Sequence, residues 1–245
     1  DMQFVNNSSI INGLMSYEWT FLPSQGSTLE NPSFKFPASG MYDVVLKVTS
    51  DYGYVDYDTQ TVEVKPVPQT TFNALNACEG NALQFTNTTL MPPGNATYTW
   101  DFGDGNSDNQ QNTSHMYGTP GFYTVTYTIE VNGCSKSVSK GVTQAPRAKV
   151  DFSHVAICNN TEVDFTNNST LTFGTMGYSW DFGDNMNGTE KDPKHDYVGF
   201  GTFDVKLKAY TDLGCVDSFS ATVNVIQAPE INISFTNPCA GEGIQ

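Results

Sequence analysis

Along residues 123–131, Tyr123, Val125, Tyr127, Ile129 and Val131 alternate with Thr124, Thr126, Thr128 and Glu130. A period of two sends alternate side chains to opposite faces, so the segment predicts a β-strand with one buried face. Asp43 to Thr49 and Phe203 to Tyr210 have the same alternation. Turns at Val131-Asn132-Gly133 and Thr211-Asp212-Leu213-Gly214 follow, and each leads into another alternating strand. No segment has the 3.6-residue apolar period of an amphipathic helix.

The pattern repeats. Tyr98-Thr99-Trp100-Asp101-Phe102-Gly103-Asp104 returns 80 residues later as Tyr178-Ser179-Trp180-Asp181-Phe182-Gly183-Asp184, and a weaker copy, Tyr17-Glu18-Trp19-Thr20-Phe21, lies 81 residues upstream. Pro120 to Val125 parallels Gly199 to Val205 and Ala38 to Val44, while Leu83 to Asn87 parallels Val163 to Asn167 and Phe4 to Asn6. Cys78, Cys158 and Cys239 are spaced 80 and 81 residues apart. Pro66, Pro68, Pro146 and Pro229 stand between copies, where proline removes a donor and ends one sheet before the next. The predicted modules are 1–66 (divergent and N-terminally truncated), 67–145 and 146–227, with 228–245 opening a fourth. Many short strands per module, with a tryptophan on a middle strand, predict an all-β chain of tandem immunoglobulin-like sandwiches. Trp19, Trp100 and Trp180 are the expected core residues, packed on the strands of Phe4, Phe85 and Phe165. Linkers of about four residues cannot act as random coils, so an extended rod is expected, each module adding about 30–40 Å. A maximum dimension below about 80 Å in small-angle scattering would contradict it.

Composition narrows the partners. The chain has 11 Lys and Arg against 26 Asp and Glu in 245 residues, a net charge of −15. It has nothing with which to neutralise a phosphate backbone, which excludes nucleic acid, and the same deficit argues against anionic membranes. No apolar run approaches the length of a spanning helix, so membrane insertion is not expected. The opening at Asp1 has no basic segment followed by an apolar one, so either a signal peptide has been removed or the chain is an internal fragment of a longer protein, and the cysteine usage favours the fragment.

These residues resemble the polycystic-kidney-disease (PKD) domain family, whose signature is Tyr-x-Trp-Asp-Phe-Gly-Asp-Gly, a His and Tyr strand, and Pro-Gly-x-Tyr-x-Val. Trp100 to Gly105, His115, Tyr117 and Pro120 to Val125 match it. So do Trp180 to Asp184, His195, Tyr197 and Gly201 to Val205, with Asn185 in place of the last glycine of the turn. Module one keeps Trp19, Gly40 and Tyr42 but has Thr20 for the Asp. With their cysteines, the repeats look like those of large Bacteroidota surface proteins, among them gliding-motility adhesins and other cargo of the type IX secretion system. The resemblance implies a non-catalytic, extracellular cell-surface segment acting as the stalk or filament of an adhesin. Its expected partners are neighbouring modules, surface glycans or other surface proteins. The competing reading is an accessory substrate-binding or spacer region of a secreted hydrolase. An exposed aromatic cluster on one module, absent from the others, would favour that competitor.

Candidate chemistry is sparse. Asp101-Phe102-Gly103 spells a kinase metal-binding tripeptide, but the phosphate loop, strand lysine and His-Arg-Asp loop are missing. Asp101, Asp104, Asp181 and Asp184 are candidate calcium ligands, although the spacing after Asp104 rejects an EF-hand and turn hydrogen bonds are the competing role. No other cofactor is expected. His115 and His195 occupy equivalent positions where module one has Phe34, which favours packing over catalysis.

All five cysteines, Cys78, Cys134, Cys158, Cys215 and Cys239, are disulfide candidates. Counting within modules pairs Cys78 with Cys134 and Cys158 with Cys215. Sandwich topology puts the members of each such pair at opposite poles, and favours a Cys78–Cys215 bond across the junction of modules two and three. Cys134 would then need a cysteine upstream of Asp1 and Cys158 one in module four, while Tyr54 leaves module one with no bridge on its upstream side.

Overall fold

The computed structural model describes residues 1–155, 157–158 and 161–235, so Cys239 lies outside the described residues. Every regular element among them is a β-strand. The chain divides into two compact units, the first formed by Asp1–Leu75, Gln84–His115 and Tyr123–Val142, the second by Asn76–Leu83, Met116–Phe122 and Thr143–Gln245.

In the first unit an antiparallel sheet has the order Gln25–Ser27, Met15–Leu22, Gly40–Ser50, Val55–Val64. The alternation in Gly40–Ser50 turns Val44 and Leu46 inward, where they pack with Trp19, Phe21, Phe4 and Phe34. A short antiparallel pair, Met2–Gln3 with Ser33–Phe34, supplies the second layer. The next repeat is more complete. One sheet runs Ser107–Asp108, Ala96–Asp101, Gly121–Val131, Cys134–Ala145, and the other runs Thr113–His115, Leu83–Asn87, Phe72–Leu75. Phe72 and Phe85 meet Trp100 at ring separations of 5.1 and 5.6 Å, and Tyr127 stacks on Trp100 at 3.7 Å.

The second unit repeats this sandwich, with Phe152–His154, Glu162–Asn167, Lys194–Asp196 in one sheet. The other has the order Ile157–Cys158, Val216–Ile226, Gly201–Thr211, Met176–Asp181, Asn187–Gly188. Its core gathers Phe152, Val163, Phe165, Trp180, Phe182, Tyr197, Val205 and Leu207. The three tryptophans are 7%, 0% and 0% exposed, Trp19 being the least enclosed. Each indole N–H donates to a backbone carbonyl ten residues on: Trp19 to Leu29, Trp100 to Gln110, Trp180 to Glu190.

The Phe-Gly-Asp turn needs its glycine. Gly103 and Gly183 sit at φ +78° and +81°, and a Cβ would fall 2.5 Å from the Thr124 carbonyl oxygen and 2.8 Å from that of Asp204. At the next left-handed position Gly105 has φ 91°, while its counterpart Asn185 has φ 71°. Asparagine tolerates that region better than other side chains, which accounts for the departure from the signature.

Candidate functional site

Asp101 and Asp181 each accept a hydrogen bond from the glycine N–H two residues on, at 2.9 and 3.1 Å. Asp104 accepts from the Asn106 backbone N–H at 3.1 Å, and Asp184 from that of Met186 at 3.0 Å. The other carboxylate oxygen of each lies against a histidine, 2.8 Å from His115 Nε2 and 2.7 Å from His195 Nε2. The imidazoles stack on the turn phenylalanines, His115 on Phe102 and His195 on Phe182, both at 4.1 Å. The four aspartates are thus engaged in closing turns and holding the histidines. Among the described residues no group of three His, Cys, Asp or Glu side chains is gathered as metal ligands.

The His–Asp pairing escaped the sequence reading, which treated the aspartates and histidines separately. Comparison of the repeats contains the signal. Module one has Pro23 at the Asp104 position and Phe34 at the His115 position, so both partners are lost together. Phe34 keeps only the stacking half of the role, lying 4.4 Å from Phe21 with an interplanar angle of 8°.

Partial desolvation works against ionising Asp104, but hydrogen bonds from His115 and Asn106 outweigh it and hold the carboxyl below its usual range. Asp104 therefore contributes stability above about pH 4, and this is lost as pH falls through its depressed folded-state value. Melting curves between pH 6 and pH 2 should record a loss of stability at the acid end. The loss should be smaller in Asp104→Asn than in wild type, and equal losses would refute the assignment.

The second built feature is the disulfide between Cys78 and Cys215, with a Cα–Cα distance of 5.8 Å and a sequence separation of 137. Cys78 is held by a two-residue parallel pairing, Gln144↔Ala77 and Ala145↔Cys78, and Glu79 N–H donates to the Ala145 carbonyl at 2.7 Å. Cys215 follows the left-handed Gly214 in a hairpin turn, with its N–H bonded to Thr211 Oγ1 at 3.0 Å. Arg147 spans the two sides. Its Nε donates to the Glu79 carbonyl at 2.9 Å and its Nη1 to that of Val216 at 3.4 Å. Phe122 and Phe173 add a ring contact at 5.1 Å. Arg147 and this aromatic pair carried no sequence signal, because neither recurs at the equivalent positions of the other repeats.

The within-module pairs Cys78–Cys134 and Cys158–Cys215 are not formed, and Cys134 and Cys158 are free thiols. Strand length explains it. Cys158 lies opposite Ile226, the last residue of Val216–Ile226, whereas Cys215 precedes the first. Eleven strand residues span about 36 Å, against the roughly 7 Å a disulfide tolerates. The free cysteines otherwise repeat the bonded ones. Cys158 occupies the same parallel pairing as Cys78, and Cys134 follows the left-handed Gly133 as Cys215 follows Gly214.

Two-layer antiparallel sandwiches with a buried tryptophan, repeated along the chain, define an array of immunoglobulin-like domains. The PKD domain model matches residues 63–144 and 143–226, and the chain belongs to the PKD domain family. Among solved structures, the PKD1 domain of Vibrio anguillarum Epp is 23% identical, covering 35% of this chain and 100% of that domain at a TM-score of 0.33. The PKD1 domain of the Vibrio cholerae metalloprotease PrtV is 27% identical over 33% of this chain and 99% of that domain, TM-score 0.31. Extracellular domains 3–5 of Drosophila OTK are 10% identical over 89% and 87% of the two chains, TM-score 0.43. PKD domains are generally non-catalytic and need no cofactor, and both they and disulfides are typical of extracellular proteins. Among the described residues no helix is long and apolar enough to cross a membrane.

Proposed function

We propose that this chain is a segment of the stalk of a large extracellular adhesin, with modules at 1–66, 67–145, 146–227 and a fourth from 228, built to carry tension between a cell surface and a distal ligand. The observation that carries the reading is the Cys78–Cys215 bond, which joins one repeat to the next rather than closing either one. Cys134 and Cys158, set like the bonded pair, take partners in flanking modules and continue the same ladder. The cysteine pattern and repeat sequence favour a Bacteroidota surface protein exported by the type IX route and working in gliding motility. Calcium has no part in this reading, since the four aspartates already serve their turns. A melting shift on adding calcium to chelator-treated protein would restore it.

Single-molecule pulling tests the mechanical role. With the disulfide intact, the 137-residue span between Cys78 and Cys215 should stay hidden from force. Reduction should then release an additional contour length of roughly 450–490 Å, at roughly 3.3–3.6 Å per residue. Equal contour lengths in the two states would overturn the reading.

One observation favours the second reading, an accessory region that binds substrate for a secreted hydrolase. Tyr52, Tyr54 and Tyr57 are exposed on the last hairpin of module one, where the next repeat has Asn132, Cys134 and Ser137. Retention of the chain on an insoluble polysaccharide, abolished by Tyr54→Ala with Tyr57→Ala, would decide for it.

A further inference from the structure

The second repeat carries an open cleft of about 520 Å³ on its outer face, a size within the usual range of small-molecule sites. Strand Leu83–Asn87 presents Gln84 and Thr86 to it, because Leu83 and Phe85 at the alternate positions are buried in the core. Strand Thr113–His115 adds Ser114, and the connection leading into that strand adds Asp108, Gln110 and Asn112. All six lie between residues 84 and 114 of the first compact unit.

The lining identifies what fits there. Gln84, Thr86, Gln110 and Ser114 are exposed, and their side chains hydrogen-bond to nothing else among the described residues. Asn112 accepts from the Asn87 N–H through its carbonyl oxygen at 2.8 Å, which leaves its Nδ2 to donate. Asp108 is fixed in place: the Asn109 and Gln110 N–H groups donate to Oδ1 at 2.6 and 3.1 Å, and the Thr113 hydroxyl donates to Oδ2. These bonds, that of Thr113 foremost, hold its carboxyl below the usual range, so it is an ionised acceptor at neutral pH. No Lys or Arg is among the lining residues to balance an anion, and the one aromatic among them, Phe85, is 1% exposed and offers no apolar platform. Amides and hydroxyls that both donate and accept match a ligand whose surface is made of hydroxyl groups.

The other repeats fill the same place differently. Asp164 and Lys194 are the counterparts of Gln84 and Ser114, and the Lys194 ammonium lies 3.1 Å from Asp164 and 3.2 Å from Glu162. Gly188 replaces Asp108 there. Module one has Val5 for Thr86, Leu29 for Gln110 and Ser27 for Asp108, and its Gln3, the counterpart of Gln84, donates to the Asn31 carbonyl at 3.0 Å. Solubility asks only for polar residues of some kind. The repeats share one scaffold, and the second alone leaves this set of neutral donors and acceptors uncommitted.

We propose that this cleft is a binding site for a neutral saccharide, whose hydroxyls are received by Asp108, Gln110 and Asn112 from the connecting segment and by Gln84, Thr86 and Ser114 from the strands. The carboxylate and the amides bridge neighbouring hydroxyls of a pyranose ring, so the hydroxyl pattern rather than ring stacking sets selection. A single site of this kind binds weakly, with a Kd of about 1 mM, and many copies on one surface raise it to useful avidity. The site is separate from the disulfide and from the tyrosine hairpin of module one, and it rests on neither reading of the chain's wider role.

The test is an NMR titration of the oxidised, isotope-labelled 245-residue protein. The probes are the β-linked trimers of glucose, galactose, mannose and N-acetylglucosamine, each taken to about 10 mM, with trigalacturonate as the anionic control. At least one neutral trimer should shift the side-chain amide signals of Gln84, Gln110 and Asn112 saturably, and trigalacturonate should not. Gln84→Asp with Ser114→Lys, which installs the ion pair of module three, should weaken binding at least tenfold while melting stays within a degree or two of wild type. Gln110→Ala, at an exposed side chain, should weaken it several-fold and decides the matter if the double change disturbs the fold. No shift with any neutral trimer, shifts confined to residues outside the cleft, equal binding of trigalacturonate, or binding indifferent to these substitutions would each overturn the proposal.

Discussion

Replacing Trp100 or Trp180 by alanine should cost about 3–5 kcal/mol, most of what a small module has to spare. Both rings are fully buried and packed on two phenylalanines each, so truncation leaves a large cavity that the rigid sheets cannot close. Removing the indole N–H also strands the carbonyl of Gln110 or Glu190, adding the penalty of an unmade hydrogen bond. Trp19→Ala should cost less, because that ring is the least enclosed of the three. Chemical denaturation of the three variants gives the comparison. A Trp100→Ala chain that melts within a degree or two of wild type would mean the ring is not a core residue.

Breaking the Cys78–Cys215 bond should have an effect of similar size. Tying together residues 137 apart removes loop-closure entropy from the unfolded chain, about 5 kcal/mol on the chain-entropy account. The paired change Cys78→Ser with Cys215→Ser should therefore lower the melting transition by many degrees. It should also loosen Arg147, whose bonds to the Glu79 and Val216 carbonyls depend on the bridged segments staying together. Unchanged melting, with unchanged amide protection at Glu79, would show that the surrounding contacts hold these segments without the bond.

Most of the strand content was legible from the chain. The alternation of Tyr123 to Val131 prescribes a strand whatever surrounds it, because side-chain period is a local property of extended backbone. The repeat around Trp100 and Trp180 prescribes a sandwich for the same reason, since three aligned copies of one pattern admit one architecture. Short strands were less legible. The two residues Ala77 and Cys78 have no period to read, and only the neighbouring strand end at Gln144 and Ala145 makes them a strand.

The site divides along the same line. Gly103 is demanded by its own left-handed φ, a constraint visible in the Phe-Gly-Asp turn. The partners of Asp104 and Cys78 are set by residues 11 and 137 positions away, and no local rule assigns them. For Cys78, general sandwich topology disfavoured Cys134 because strand length separates them, while meeting Cys215 required the two poles to come together. Local sequence determines how each segment extends and which face is apolar; which segments lie beside one another depends on contacts distant in the chain, and those decide the paired histidines and the bridged cysteines.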